Sequence, residues 1–127
     1  MMRKTFYLEA STRTQDLLDT QRALRAAEYG IGSTWHEEVA SSHSSEPESW
    51  ITQRFEELNR CDALIVLCGH KLKTPLQVPL LAGHALARGL QVIWIGSSVR
   101  VAGGDRNMAQ FGTVDEFCES LTLKRAA

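Results

Sequence analysis

The chain has 127 residues, a length that suits one domain able to bury roughly two thirds of the surface its unfolded form exposes, so 1–127 is expected to fold as a single unit. Fourteen Lys and Arg face fifteen Asp and Glu, and 43% of residues are hydrophobic. That balance gives no global electrostatic case for nucleic acid or an anionic membrane surface as a partner, and neither is expected.

The three cysteines, Cys61, Cys68 and Cys118, are odd in number and widely spaced, which makes neither a disulfide framework nor a zinc pattern. They are read as reduced thiols, and neither a metal nor another cofactor is expected. Two basic residues, Arg3 and Lys4, lead into Phe6-Tyr7-Leu8, too short for the apolar region of a signal peptide. No apolar run approaches the roughly 18 residues of a membrane span, so the expected location is the cytoplasm.

In chain order, Thr5 to Ala10 reads as a strand ending at Ser11-Thr12-Arg13-Thr14. Leu17, Thr20, Leu24 and Ala27 then recur at helical spacing, and Gly30 is the expected stop. A short second strand is expected near residues 33–36. The polar stretch from Glu37 to Glu48 reads as a surface loop. Pro47 opens a helix whose Ile51, Phe55 and Leu58 face inward, while Trp50, Arg54 and Glu57 share a side that reads as solvated. Ala63-Leu64-Ile65-Val66-Leu67 is a continuous apolar run, suited to a strand covered on both faces. Pro79 is expected to start the next helix, with Val78, Leu81, Ala82 and Ala85 buried and Gly89 ending it. Gln91 to Ile95 is the fourth strand; a Gly-containing loop follows, and Thr113 with Glu116 forms a capping box for a final helix carrying Phe117 and Leu121.

Strands alternating with helices predict an α/β fold with a doubly wound, open parallel sheet and helices on both faces. Ligands of such sheets bind beyond the carboxyl ends of the strands, here the loops starting near Ser11, Glu37, Gly69 and Gly96.

Of the residues at those ends, Ser11, Thr12 and Arg13 combine hydroxyls and a guanidinium with the N–H groups of a following helix, which suits a phosphate; equally they make an ordinary N-cap. The loop resembles a flavodoxin phosphate loop but lacks the glycine that lets backbone wrap a phosphate, which makes flavin a minor alternative. His36-Glu37-Glu38 offers a base or metal ligands but has no partner histidine at ligand spacing, and a polar rim is the favoured reading. His70-Lys71-Leu72-Lys73 follows the apolar strand, and its two lysines, Lys71 and Lys73, could neutralise an anionic ligand or simply solubilise a loop. Asp62, at a helix-to-strand junction, is expected to accept backbone N–H groups. Trp35, Trp50 and Trp94 could stack on a base, although such aromatics are more often core.

Taken together, Phe6-Tyr7-Leu8-Glu9-Ala10-Ser11 with Thr12-Arg13, Arg60-Cys61-Asp62-Ala63-Leu64-Ile65-Val66, and Ala82-Gly83-His84-Ala85-Leu86-Ala87-Arg88-Gly89-Leu90-Gln91-Val92-Ile93 resemble, in order and spacing, the nucleoside 2-deoxyribosyltransferase family. The similarity is to its 2′-deoxynucleoside 5′-monophosphate N-glycosidase branch and runs from about residue 5 to 96. It implies a three-layer flavodoxin-like or Rossmann-like sandwich and, from the association of family members, a homodimer. It also implies cleavage or transfer of an N-glycosidic bond, in which a glutamate attacks the sugar and an aspartate assists the departing base. The glutamate belongs two residues before the glycine matching Gly83, where this chain has Leu81, with Gln77 at the preceding pattern glycine. The aspartate belongs about eight residues before Asp62, where this chain has Arg54. Ser11 and Arg13 still match the phosphate-binding loop.

The expectation is a binder of a nucleotide, nucleoside or phosphorylated ribose compound that has lost the family chemistry, with Ser11, Thr12, Arg13, Arg54, His70, Lys71 and Leu81 around the ligand. One alternative is an active N-glycosidase or deoxyribosyltransferase using displaced carboxylates, with Glu9, Glu37 or Glu38 as candidates. Another is a protein-interaction module that keeps only the fold.

Overall fold

A computed structural model describes residues 4–10, 15–33, 47–67, 77–96 and 107–126. Among these, five strands form one sheet in the order β2-β1-β3-β4-β5, with every neighbouring pair parallel. The strands are β1 (Thr5–Ala10), β2 (Gly30–Ile31), β3 (Ala63–Leu67), β4 (Gln91–Ile95) and β5 (Met108–Phe111). Four helices, α1 (Gln15–Ala26), α2 (Pro47–Asn59), α3 (Gln77–Ala87) and α4 (Val114–Ala126), complete the α/β fold.

The apolar runs of β1 and β3 are buried on both sides because helices cover both faces of the sheet. One face carries Phe6, Leu8, Ile65 and Ile93 against Leu17 and Leu24 of α1 and Phe117 and Leu121 of α4. The other carries Tyr7, Leu64, Val66 and Val92 against Leu58 of α2 and Leu81, Ala82 and Ala85 of α3. Since side chains alternate along a strand, Tyr7 and Glu9 of β1 both belong to this second face. The register carries the Glu9 row across the sheet, through Val66 of β3 to Trp94 of β4.

Three boundaries differ from the sequence reading. The second strand lies at Gly30–Ile31 rather than 33–36; Ser33 is outside it, and 34–36 lie outside the described residues. Past Ile31 the pairing ends in substitutes: Gly32 N–H donates to the Phe6 carbonyl at 2.9 Å, and the Ser33 hydroxyl accepts from Leu8 N–H at 3.0 Å. Glycine is needed at 32 because a Cβ there would lie 2.5 Å from Cys61 Sγ. A fifth strand, β5, occupies part of what reads as loop, and α3 starts at Gln77, two residues before Pro79.

The third boundary is the end of α1, where Glu28 rather than Gly30 turns the chain. Tyr29 N–H donates to the Leu24 carbonyl at 2.9 Å and Glu28 N–H to that of Arg25 at 3.0 Å. This is a Schellman closure, with Glu28 in the left-handed region at φ 65°. The same closure ends α3, where Gly89 takes φ 76° at no steric cost. A side chain in that region costs about 1–2 kcal/mol, partly offset by the greater freedom of an unfolded glycine. Glu28→Gly should therefore stabilise the protein by about 0.5–1 kcal/mol in denaturant titration; unchanged or lower stability would show that Glu28 makes compensating contacts.

Other local expectations hold. Asp62 Oδ2 accepts from Thr5 N–H at 2.8 Å, tying the β3 entry to that of β1. At α4, Glu116 N–H donates to Thr113 Oγ1 at 3.2 Å, and the Glu116 carboxylate accepts from Gly112 N–H at 2.9 Å, one residue ahead of the usual capping-box donor. Cys61 and Cys118 are free thiols; Cys68 lies outside the described residues. On the α1/α4 face a cavity of about 100 Å³ remains, walled by Phe6, Tyr29, Phe111 and Phe117, with Lys4 and Gln91 also lining it. Those two are joined by a 3.3 Å hydrogen bond from Lys4 Nζ to Gln91 Oε1.

Candidate functional site

In the order β2-β1-β3, the chain goes to one side of β1 and then returns to the other, so the crevice of this sheet opens between the carboxyl ends of β1 and β3. Glu9 is the penultimate residue of β1 at that place and is only 1% exposed. A carboxylate so deep in an apolar layer requires a compensating partner. Arg54 supplies one.

Arg54 comes from α2, four residues before Leu58, so the helix face that packs Leu58 into the core also carries Arg54 toward the sheet. It is 6% exposed. Its Nη1 lies 4.0 Å from Glu9 Oε2, an ion pair longer than a hydrogen bond, and donates to Tyr7 Oη at 3.4 Å. Burial, and after it the Glu9 carboxylate, push the Tyr7 phenol far above its ordinary value, while the hydrogen bond and charge of Arg54 act in the opposite direction. Tyr7 therefore remains protonated, with Arg54 on its oxygen and its own O–H a donor.

Leu81 enters the same layer from α3. It is 2% exposed and packs in one apolar cluster with Tyr7, Val66 and Ala82. Trp94, half-buried, closes the edge of that cluster. The two positions at which the chain departs from the resembled catalytic pattern, Arg54 and Leu81, thus face one layer. In this chain that layer holds a carboxylate from the first strand, a guanidinium from α2 and an alkyl group from α3.

Ser11, Thr12, Arg13, Glu37, Glu38, His70 and Lys71 lie outside the described residues. Ser11 follows Ala10 directly, so its loop leaves the sheet at the Glu9 end of β1. Sequence reasoning missed the Glu9–Arg54–Tyr7 cluster as a unit and took the Arg54 side of α2 as solvated. A signal existed: Ile51, Arg54 and Leu58 fit the helical period as well as Ile51, Phe55 and Leu58 do. Among the described residues, no three His, Cys, Asp or Glu side chains are gathered to hold a metal, and no helix is long and apolar enough to cross a membrane.

No protein-family model matches the sequence, and no curated protein matches it. Solved structures do resemble the fold. A conserved protein from Enterococcus faecalis V583 superposes with a TM-score of 0.74 at 11% identity, over 97% of this chain and 99% of that one. The CMP N-glycosidase BcmB of Clostridium botulinum gives 0.67 at 16% identity, over 95% and 99%. A 2-deoxyribosyltransferase from Bacillus psychrosaccharolyticus gives 0.66 at 12% identity, over 92% and 95%. With a five-stranded parallel sheet, helices on both faces and this near-complete mutual coverage, the chain has the nucleoside 2-deoxyribosyltransferase-like fold.

Proposed function

We propose that the protein binds a nucleotide or a related phosphorylated ribose compound in the crevice at the carboxyl ends of β1 and β3, and that it has lost the glycosidic chemistry of the enzymes it resembles. The observation that carries this reading is the state of the layer beneath the crevice. Leu81 fills the resembled nucleophile position with a buried alkyl group, and the nearby carboxylate, Glu9, faces the Arg54 charge. A nucleophile has to reach the anomeric carbon, whereas a carboxylate paired this deeply has a counter-ion to keep compensated. In this reading Ser11, Thr12 and Arg13 supply the phosphate contact, Lys71, next to His70 in sequence, adds positive charge, and Arg54 and Leu81 form the floor.

Calorimetry with nucleosides and their 5′-monophosphates, run beside a base-release assay, tests the reading. Saturable binding without base release is expected. Arg13→Ala should weaken monophosphate binding by about 1.5–3 kcal/mol, the usual value for a hydrogen bond to a charged group, and leave nucleoside binding nearly unchanged. Equal affinity of the wild type for nucleoside and nucleotide would remove the phosphate loop from the account.

One observation favours a second reading, in which Glu9 acts as a displaced nucleophile: it lies on the Tyr7 side of β1, which faces Leu81. Base release by the wild type that Glu9→Gln abolishes would establish that reading and overturn the first.

A further inference from the structure

Trp94 is the penultimate residue of β4, and its register partner on β3 is Val66, which in turn pairs with Glu9 on β1. Its indole Nε1 is buried and has no hydrogen-bond partner among the described residues. Indole has one polar atom, and that atom is a donor only. A Phe or Leu would fill the edge of the apolar cluster without stranding an N–H there, and a stranded buried donor is costly enough that native proteins rarely keep one without a use. The place matters as much as the atom, because the donor sits at the carboxyl end of the sheet, in the same row as Glu9.

Two strand spacings separate β1 from β4, about 10 Å at the usual 4.8 Å per strand. On the nucleotide-binding reading, with the sugar over the β1/β3 crevice, a base directed away from β2 would cross β3 and reach Trp94 on β4. We propose that Trp94 is the base-contacting, specificity-determining residue of this site, its indole N–H donating to an acceptor atom on the edge of the nucleobase. The assignment rests on the nucleotide-binding reading and adds to it which part of the ligand is recognised, and from which strand. Ligands with the same phosphorylated sugar but no base have nothing to offer Trp94.

The test compares nucleoside 5′-monophosphates with ribose 5-phosphate by calorimetry on wild type and Trp94→Phe, which keeps a ring and removes the donor. Loss of one hydrogen bond should weaken the preferred monophosphate about threefold to tenfold and leave ribose 5-phosphate unchanged. A second variant, Trp35→Phe with Trp50→Phe, leaves Trp94 as the single indole; its emission should change on saturation with the monophosphate and stay constant with ribose 5-phosphate. This readout holds even if Trp94→Phe folds poorly. Equal weakening of both ligands by Trp94→Phe, or a Trp94 emission blind to a bound monophosphate, overturns the assignment while leaving nucleotide binding in place. Absence of any binding by the wild type overturns the nucleotide reading itself, and this inference with it.

Discussion

Glu9→Ala should lower the unfolding free energy by about 3–5 kcal/mol, the usual result of leaving one member of a buried ion pair without its partner. Arg54 would then stand 6% exposed in the layer between the sheet and α2 without the carboxylate that faces it. Arg54→Met alone should cost a similar amount, because Glu9 is the more deeply buried of the two. The joint variant Glu9→Leu with Arg54→Met is expected to recover most of the loss, since replacing both charges by apolar groups of similar size removes two desolvation costs together. Urea titration of wild type, Glu9→Leu, Arg54→Met and the joint variant gives the coupling as a double-mutant cycle. Two small, additive single effects of below about 1 kcal/mol would show that other neighbours, rather than the pair, compensate these charges.

The second large effect belongs to Leu81. If the position now serves packing, Leu81→Ala should cost about 2–5 kcal/mol, combining lost burial with the void left among Tyr7, Val66 and Ala82. Leu81→Met, nearly equal in volume, should cost less than about 1.5 kcal/mol of stability. The measurement is chemical denaturation. A Leu81→Ala variant within about 1 kcal/mol of wild type would mean that the layer has room to spare, and that Leu81 contributes little to its packing.

The central sheet was legible because β1, β3 and β4 are covered on both faces, so their burial prints directly as apolar runs. Gly89 and the Thr113–Glu116 pair were legible because their chemistry is local: a residue free to turn left-handed, and a hydroxyl with a carboxylate one helical turn on. Strand β5 was not, since it is only partly buried and Met-Ala-Gln-Phe shows no period by which to tell it from loop. The end of α1 was misread because glycine is the usual left-handed residue, whereas here the tertiary contacts of Leu24 and Tyr29 hold Glu28 in that conformation.

The candidate site was legible at single positions and not in combination. Glu9 stands in a strand whose neighbours are all apolar, so its burial could have been inferred, and with it the need for a cation. Which cation depended on α2 crossing the β1 end of the sheet, a long-range arrangement between residues 45 apart in sequence. Arg54 shows its role only once that helix is in place.

The pocket of about 100 Å³ beside Phe6, Tyr29, Phe111 and Phe117 gives the α1/α4 face of the sheet a mechanical character of its own. Space of this kind that unfolding eliminates adds to the volume change that makes folded proteins sensitive to hydrostatic pressure. Compression therefore acts on the α1/α4 side, where water can be driven past Lys4 and Gln91 between the rings. Rising pressure should therefore show first as loosened packing of the Phe6, Tyr29, Phe111 and Phe117 rings around that space.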